Sequence, residues 1–276
     1  KSFRSSMKKR TSAHFQDVCA AFGMEDALVK MFIAPELFKA VIDRITDFYL
    51  RANEIFYKAT QGKLHAVLIG NDFGSQQGLM VGPEQLRQFV FDGTRRLVEQ
   101  AKRYGLKVIH HSCGGIHDII PDLIEMGVDA IHPIQALASK MEPERLKADF
   151  GGRVSFCGGV DAQYLMVNGT PDDVRKKVRE LVELFPTGLI VSPSHEAILV
   201  DTKPENVEAL FDAVGSGQKR KRRYGSVIAV RPECLDEYKR LHAAAWPGVL
   251  KMIYDCNLRN YSIYYKDGYL FSYYEY

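Results

Sequence analysis

Residues 106–115 read LKVIHHSCGG, a short apolar run that ends in a cluster of histidine, serine, cysteine and glycine. Such a run is typical of a strand that is covered on both faces, and the polar cluster follows it directly. The same arrangement recurs along the chain. We predict five strands of this kind, at residues 64–70, 106–110, 129–131, 154–157 and 188–191.

Amphipathic helices are predicted between these strands. Apolar residues recur at helical spacing in 35–57 and in 83–104, and the second of these stops at Gly105. Thr170 and Pro171 are typical of a helix N-terminus, and Thr202 to Glu205 forms a capping box before a helix that ends at Gly215. Alternating strands and helices indicate parallel pairing. The sequence therefore predicts an α/β fold, a partial (β/α)₈ TIM barrel.

The polar clusters carry the candidate site residues of this first domain. Since the carboxyl ends of barrel strands form one active-site face, clusters that follow five strands should meet at one mouth. We assign catalytic roles to Asp72 and His195. The candidates for substrate binding are Gln76, Gln135 and Asp161.

His111 and Cys113 are the sharpest metal candidates, because an imidazole and a thiolate two positions apart on a loop can face one cation. Zinc in a catalytic site usually takes three protein ligands and keeps one position open. His195 follows another strand and is our candidate for the third ligand. A buried thiol beside a hydrogen-bonded histidine is the alternative interpretation of this motif.

A change of pattern near residue 217 predicts a second domain. Gly215 to Gln218 are mostly small residues, and five basic residues follow at 219–223. We place the first domain at 1–217, a basic linker at 218–223 and the second domain at 224–276. We predict a small α+β domain with the ferredoxin-like order βαββ. Its elements are a strand at 224–230, a helix at 232–256 that is interrupted at Pro247, and two Tyr-rich strands around Asp267-Gly268. An Asp-Gly pair favours a two-residue hairpin turn.

The amino-acid composition and the net charge limit the kinds of partner that the sequence suggests. The 276 residues are 46% hydrophobic and 26% charged with a net charge of +3, which gives no reason to expect nucleic-acid or membrane partners. The five cysteines, an odd number, predict reduced thiols and a cytoplasmic protein: Cys19, Cys113, Cys157, Cys234 and Cys256. The sequence starts at Lys1 without Met and stops at Tyr276 within strand-like sequence, which we interpret as a fragment cut at both ends.

Residues from about 21 to 217 resemble the uroporphyrinogen decarboxylase superfamily. This superfamily includes the haem-pathway decarboxylase and zinc-dependent methyltransferases that move methyl groups between corrinoid proteins and thiols. The resemblance implies a (β/α)₈ barrel whose N-terminal part is missing here. The segments that carry the resemblance are residues 69–76, 108–114, 156–161, 192–195 and 204–210.

This chain shares one motif with the methyltransferase branch of the superfamily and another with the decarboxylase branch. By resemblance, His111 and Cys113 match the zinc ligands of the methyltransferases, whereas His195 stands where their later cysteine falls. The decarboxylases have an active-site histidine at the position of His195 and lack the His-x-Cys motif. The favoured function is therefore zinc-dependent methyl transfer between a corrinoid protein and a thiol. Metal-free decarboxylation of a tetrapyrrole is one alternative, and non-catalytic binding of a metal or tetrapyrrole is another.

Residues 224–276 resemble the L-rhamnose mutarotase family, which comprises dimeric enzymes that interconvert sugar anomers. The matching segments are 238–242, 245–247 and 259–264. The resemblance implies that His242 is a general acid, that Tyr238 and Tyr261 contact a rhamnose-like sugar, and that the protein is a homodimer. Tyr238 and His242 are four residues apart and therefore share one face of the predicted helix. The family's C-terminal part, which includes an aromatic pair in the pocket, is missing here.

Overall fold

The computed structural model describes residues 12–195, 198–215, 223–256 and 258–275. The chain divides into two compact units, Lys1–Val214 and Gly215–Tyr276. The predicted basic linker at 218–223 lies outside the described residues except for Arg223. That residue begins a strand rather than ending a linker.

A five-stranded parallel sheet forms the centre of the first unit. The strands of this unit are β1 (Ala66–Gly70), β2 (Gly74–Ser75), β3 (Gly78–Leu79), β4 (Lys107–His111), β5 (Ala130–Ile134), β6 (Ser155–Val160) and β7 (Leu189–Pro193). The large sheet has the order β1-β4-β5-β6-β7, and β2 and β3 form a separate small hairpin. All neighbours in the large sheet are parallel. Its strands follow one another in chain order, as predicted for a partial barrel.

The helices of the first unit surround this sheet in sequence. They are α1 (His14–Phe22), α2 (Met24–Ile33), α3 (Pro35–Ala59), α4 (Pro83–Gln85), α5 (Phe91–Arg103), α6 (Ile120–Glu125), α7 (Pro143–Phe150), α8 (Leu165–Asn168), α9 (Pro171–Leu184) and α10 (Pro204–Gly215). The predicted N-terminus of α9 at Thr170 and Pro171 is confirmed, and it forms a capping box that the sequence analysis placed only before α10: the Thr170 side chain accepts from the Asp173 N–H, and the Asp173 side chain accepts from the Thr170 N–H.

The predicted single helix over 83–104 is interrupted by a π-helical turn at Leu86–Val90. The wider turn changes the local hydrogen bonding, and the Val90 carbonyl lies 3.1 Å from the buried His14 Nε2. Helical spacing alone does not reveal such a turn, because the apolar residues on both sides of it stay on the buried face.

The core of the first unit lies between the sheet and its helices. Phe15, Phe38, Phe73 and Phe156 are fully buried there. Along β4 the side chains alternate, so that Val108 and His110 share one face while His111 points to the other. Full burial of each large apolar side chain contributes about 1.5–3 kcal/mol. The packing of the helices therefore fixes the strand ends that carry the polar clusters.

The second unit is a small βαββ structure, as predicted. Its elements are β8 (Arg223–Ala229), α11 (Leu235–Ala243), α12 (Pro247–Asp255), β9 (Arg259–Lys266) and β10 (Tyr269–Glu275). The sheet is antiparallel with the order β8-β10-β9. Asp267 and Gly268 have φ values of 49° and 85°, which matches the predicted two-residue turn. Pro247 begins α12, so the interruption of the predicted helix also forms.

Among the described residues, no helix is both long and apolar enough to cross a bilayer.

Candidate metal centre and sugar-binding residues

Two loops at the carboxyl ends of neighbouring strands form the candidate metal centre. Asp72 follows β1, and His111 ends β4 just before Cys113. Because β1 and β4 pair in parallel with Gly70 opposite His111, both loops leave the sheet at the same edge. The ligand atoms of Asp72, His111 and Cys113 all lie within 4.8 Å of one another. We call these three residues the ligand cluster.

The contacts within the ligand cluster are direct. His111 Nε2 lies 3.2 Å from Asp72 Oδ1 and 3.7 Å from Cys113 Sγ. The backbone N–H of Cys113 also donates to Asp72 Oδ1, at 2.9 Å. The hydrogen bond from His111 holds the pKa of Asp72 below its ordinary value, and the Cys113 N–H acts in the same direction against the effect of burial. The carboxyl is therefore ionised near neutral pH.

His132 supports the ligand cluster from the next strand. It is paired with His111 in the register of β4 and β5, and the Nδ1 atoms of the two rings are 2.7 Å apart. Burial and the proximity of His111 lower the pKa of His132 to about 4. A neutral His132 can thus accept a hydrogen bond from the Nδ1–H of His111, which leaves the other ring nitrogen of His111 to face Asp72 and Cys113.

Glycines allow the two ligand loops to touch through their backbones. A Cβ on Gly74 would lie 2.7 Å from the Cys113 carbonyl oxygen, and one on Gly114 would overlap the backbone of Gly74 and Ser75. The Gly115 N–H donates to the Ser75 carbonyl at 2.8 Å. Gln135 Oε1 accepts from the Gly114 N–H at 2.9 Å, so this predicted substrate residue supports the loop.

Helix α1 contributes residues that the sequence analysis did not single out. Gln16 Nε2 donates to Asp72 Oδ2 at 2.7 Å, and the Phe15 N–H donates to Asn71 Oδ1 at 2.9 Å. These contacts orient the Asp72 carboxylate so that its other oxygen faces His111 and Cys113. No motif marks Gln16, which lies 56 positions before its partner. His132 directly follows the predicted strand 129–131, but nothing in the sequence around it indicates an orienting role.

His195, the predicted third ligand, is not part of the ligand cluster. It lines a cavity of about 310 Å³ together with His132, Cys157 and Ser192. The physical reason is strand order, because β5 and β6 separate β7 from β4 and neighbouring strands lie about 4.8 Å apart. Among the described residues, Asp72 is the third candidate donor beside His111 and Cys113.

Two further predicted substrate residues have other surroundings. The Asp161 carboxylate accepts from the backbone N–H groups of Gln163, Tyr164 and Leu165 at 2.9–3.0 Å, so it orders the turn that leads into α8. Gln76 is exposed, and its carbonyl accepts from the Ser139 N–H. Both residues follow strands, as expected, yet neither belongs to the ligand cluster.

The second unit brings together the residues predicted to bind a sugar. The rings of Tyr238 and His242 stack with centroids 3.9 Å apart, and His242 Nδ1 lies 2.9 Å from the Tyr238 carbonyl oxygen. Burial and the nearby Tyr261 raise the pKa of Tyr238. The Tyr261 ring meets Tyr274 edge-on. His242 is exposed, and the Tyr238 carbonyl oxygen can accept from its Nδ1–H.

Comparisons with known proteins agree with this division of the chain. Residues 15–216 match the family model described as Uroporphyrinogen decarboxylase (URO-D), and residues 223–276 match that described as L-rhamnose mutarotase. A curated relative, the methylated-thiol–coenzyme M methyltransferase of Methanosarcina mazei, is 28% identical over 148 residues, which are 54% of this chain and 37% of the relative.

A solved structure gives the corresponding fold. It is a methyltransferase from Methanosarcina mazei, with a TM-score of 0.60 and 19% identity over 75% of this chain and 57% of that one. The chain thus spans less than two thirds of the length of either relative. The first unit has the fold of this methyltransferase.

Proposed function

Because the chain belongs to the uroporphyrinogen decarboxylase family, we propose that its first unit is a zinc-dependent methyltransferase that transfers a methyl group from a corrinoid to a thiol. The observation that carries the proposal is the ligand cluster of Asp72, His111 and Cys113. The similarity to a methyltransferase that acts on methylated thiols supports it.

The donor set fits zinc. One thiolate sulfur, one imidazole nitrogen and one carboxylate oxygen are the ligand types that zinc takes in proteins, and three protein ligands leave a fourth position open. The distances within the ligand cluster are short enough for small rotations to bring the donors to bonds of about 2.0–2.3 Å. When bound, zinc supplies a positive charge that keeps a coordinated thiol deprotonated.

The chain's own residues prepare this reaction. Asp72 adds a negative charge that is held in place by the Cys113 N–H and by Gln16. With a cation on Nε2 of His111, its Nδ1–H would donate to His132. In the proposed transfer, the thiol would lose its proton to solvent and its sulfur would take the methyl group of a methyl-corrinoid substrate, whose carbon–cobalt bond would break with the electron pair left on the corrinoid. We assign His195, which lines the neighbouring cavity, to substrate contact.

Zinc analysis of the full chain tests the proposal. We expect about one zinc per chain in the parent protein, loss of that zinc in Cys113→Ser, and an unchanged far-UV circular dichroism spectrum in both. Cys157→Ser is the matched control, because Cys157 is a similarly half-buried thiol outside the ligand cluster. A metal-free parent that decarboxylates a tetrapyrrole would overturn the proposal and establish the alternative.

A second function is proposed for the second unit, the interconversion of sugar anomers. The stacked pair of Tyr238 and His242 carries this proposal, and the family match over 223–276 supports it. Anomer exchange requires proton transfer at the ring oxygen and the anomeric hydroxyl, for which an exposed histidine is suited. Tyr238 and Tyr261 supply aromatic surface for the apolar face of a sugar ring. Exchange of rhamnose anomers, followed by NMR on the full chain, tests this function.

A further inference from the structure

A chain of three hydrogen bonds runs through the core of the first unit to the residue before Asp72. It starts in helix α1, where the Phe15 N–H donates to Asn71 Oδ1 at 2.9 Å. Asn71 Nδ2 lies 3.4 Å from His14 Nδ1, and His14 Nε2 lies 3.1 Å from the Val90 carbonyl oxygen. The side chains of Asn71 and His14 are fully buried, so solvent does not compete for these bonds.

The two ends of this chain determine the direction of every bond in it. The Phe15 N–H can only donate, so the oxygen of the Asn71 amide must face it and the amide NH₂ must face His14. That NH₂ group donates to His14 Nδ1. The Val90 carbonyl can only accept, so His14 must carry a proton on Nε2. Each of the two side chains therefore uses a donor and an acceptor together, which an apolar residue at either position cannot do.

The backbone around the His14 ring is shaped to accommodate it. The π-helical turn at Leu86–Val90 widens the helix at the carbonyl that the ring contacts, and such turns within α-helices are frequent at functional sites. Gly93 lies against the ring, because a Cβ at this position would be 3.1 Å from the ring and 2.8 Å from Thr46 Oγ1. Two irregular features of one helical segment thus make room for His14.

The chain of hydrogen bonds ends beside a member of the ligand cluster. Asn71 directly precedes Asp72, whose Oδ1 lies 3.2 Å from His111 Nε2 and accepts from the Cys113 N–H. The Asn71 amide is held by α1 through its oxygen and by His14 through its nitrogen. The peptide that joins Asn71 to Asp72 is therefore restrained from within the core.

We propose that His14 is a positioning residue that acts through Asn71 and holds Asp72 in the conformation that the ligand cluster requires. The proposal rests on the proposed function of the first unit, for which it names a residue that orders the metal site before a metal binds. No part of His14 touches the ligand atoms, so its effect must pass through the Asn71 amide.

Selective ¹⁵N labelling of cysteine in the full, metal-free chain tests the positioning by NMR. The Cys113 N–H is the reporter because it donates to the Asp72 carboxylate, and Cys157 in the same unit is the reference. His14→Phe should shift the Cys113 amide proton upfield, as expected when a bond to a carboxylate is lost, and should leave the Cys157 signal in place. His14→Gln, which can again donate and accept, should restore most of the original shift.

Further variants separate positioning from a loss of core packing. Asn71→Leu should shift the Cys113 signal as His14→Phe does, and the double variant should add nothing, because His14 acts through Asn71. Thr46→Val is the control, since it removes a buried hydroxyl that donates to the Ile42 carbonyl within α3, and it should leave the Cys113 signal unchanged. An unmoved signal in His14→Phe, an equal shift in Thr46→Val, or additive shifts in the double variant would each overturn the proposal.

Titration with Co²⁺ measures the consequence for metal binding. The cobalt–thiolate absorption band reports binding at Cys113. Partners bonded directly to a ligand change metal affinity about 10–100-fold, and His14 acts one residue further out, so His14→Phe should weaken Co²⁺ binding about fivefold or more. Equal Co²⁺ affinity in His14→Phe and the parent would overturn the proposal. A parent that takes up no Co²⁺, with the Cys113 signal shifting as expected, would contradict the proposed function but support the positioning of Asp72 by His14.

Discussion

The Nδ1 atoms of His111 and His132 lie 2.7 Å apart, at positions that face each other on two adjacent parallel strands. Only one proton fits between two nitrogens at this distance, so the two rings form a donor and acceptor pair. With its Nδ1 engaged in this way, His111 directs Nε2 toward Asp72 and Cys113. The strand register thus determines which nitrogen is presented to a cation.

Removing the hydrogen-bonding partner of His111 should weaken metal binding. We expect His132→Leu to lower zinc affinity by about 10–100-fold, the usual effect of losing such an outer partner. His132→Asn should restore most of the affinity, because its amide oxygen can occupy a position close to that of Nδ1. Competition titration with a chelating dye measures both values. Equal affinities of the Leu variant and the parent would show that His132 has no orienting role.

Two buried histidines should make the first unit sensitive to acid. Burial lowers the pKa of His14 to about 4 and that of His110 to about 3. Since the unfolded state binds these protons from about pH 6.5 downward, the free energy of unfolding should fall as pH drops from 6.5 toward 4, by about 1.4 kcal/mol per pH unit for each histidine. Urea unfolding at several pH values measures this slope.

One of these histidines can be removed without losing a hydrogen bond. Neither ring nitrogen of His110 has a hydrogen-bond partner among the described residues. His110→Leu should reduce the slope of the unfolding free energy against pH by the contribution of one histidine, about 1.4 kcal/mol per pH unit. It should also raise the free energy of unfolding at pH 7 by about 1–3 kcal/mol, since a buried unpaired polar group is lost. His65→Leu is the control, because His65 is exposed. A slope that stays the same in His110→Leu would contradict the assignment.

The backbone contact between the two ligand loops predicts a sensitive position. Gly114 has φ of 81°, and a Cβ there would overlap the Gly74 and Ser75 backbone. Gly114→Ala should push the loops apart, abolish zinc binding and lower the melting temperature. Gly152→Ala is a fair comparison, since Gly152 has a similar φ of 79° but open space around it. If both variants kept their zinc, loop contact would not be needed for the ligand cluster.

The proposed sugar function predicts that anomer exchange depends on His242. His242→Ala should slow rhamnose anomer exchange by about 10²-fold or more, the usual contribution of a general acid–base group. Arg240→Ala is the control on the same helix, because Arg240 is exposed and pairs only with Glu237 in its described contacts. Magnetisation-transfer NMR on the full chain gives the rates. Unchanged exchange in His242→Ala would remove this residue from the mechanism.

The fold could be predicted largely from local patterns. Apolar runs gave the five parallel strands within a few residues, and Asp267-Gly268 gave the hairpin turn because both positions require positive φ. The π-helical turn at Leu86–Val90 escaped prediction, since it leaves the apolar face unchanged. The start of β8 at Arg223 also escaped, because the basic run suggested a linker.

The candidate site was predicted only in part. His111 and Cys113 are close in sequence, so their spacing suffices to identify them as a pair. The third member depends on which strands are neighbours in the sheet, and the strand pairing of β1 with β4 brings in Asp72 rather than His195. Gln16 is fixed by tertiary packing of α1, which no pattern around it indicates.

The hydrogen bond from Gln16 to Asp72 spans 56 residues of chain. Closing a flexible loop of that length costs about 3.5 kcal/mol in chain entropy, more than one hydrogen bond returns. The burial of Phe15 and Val18 in α1 offsets this cost. The carboxylate of Asp72 therefore takes up its orientation only when α1 has docked. The order of the ligand cluster should be lost together with the hydrophobic core of the first unit, in one cooperative step.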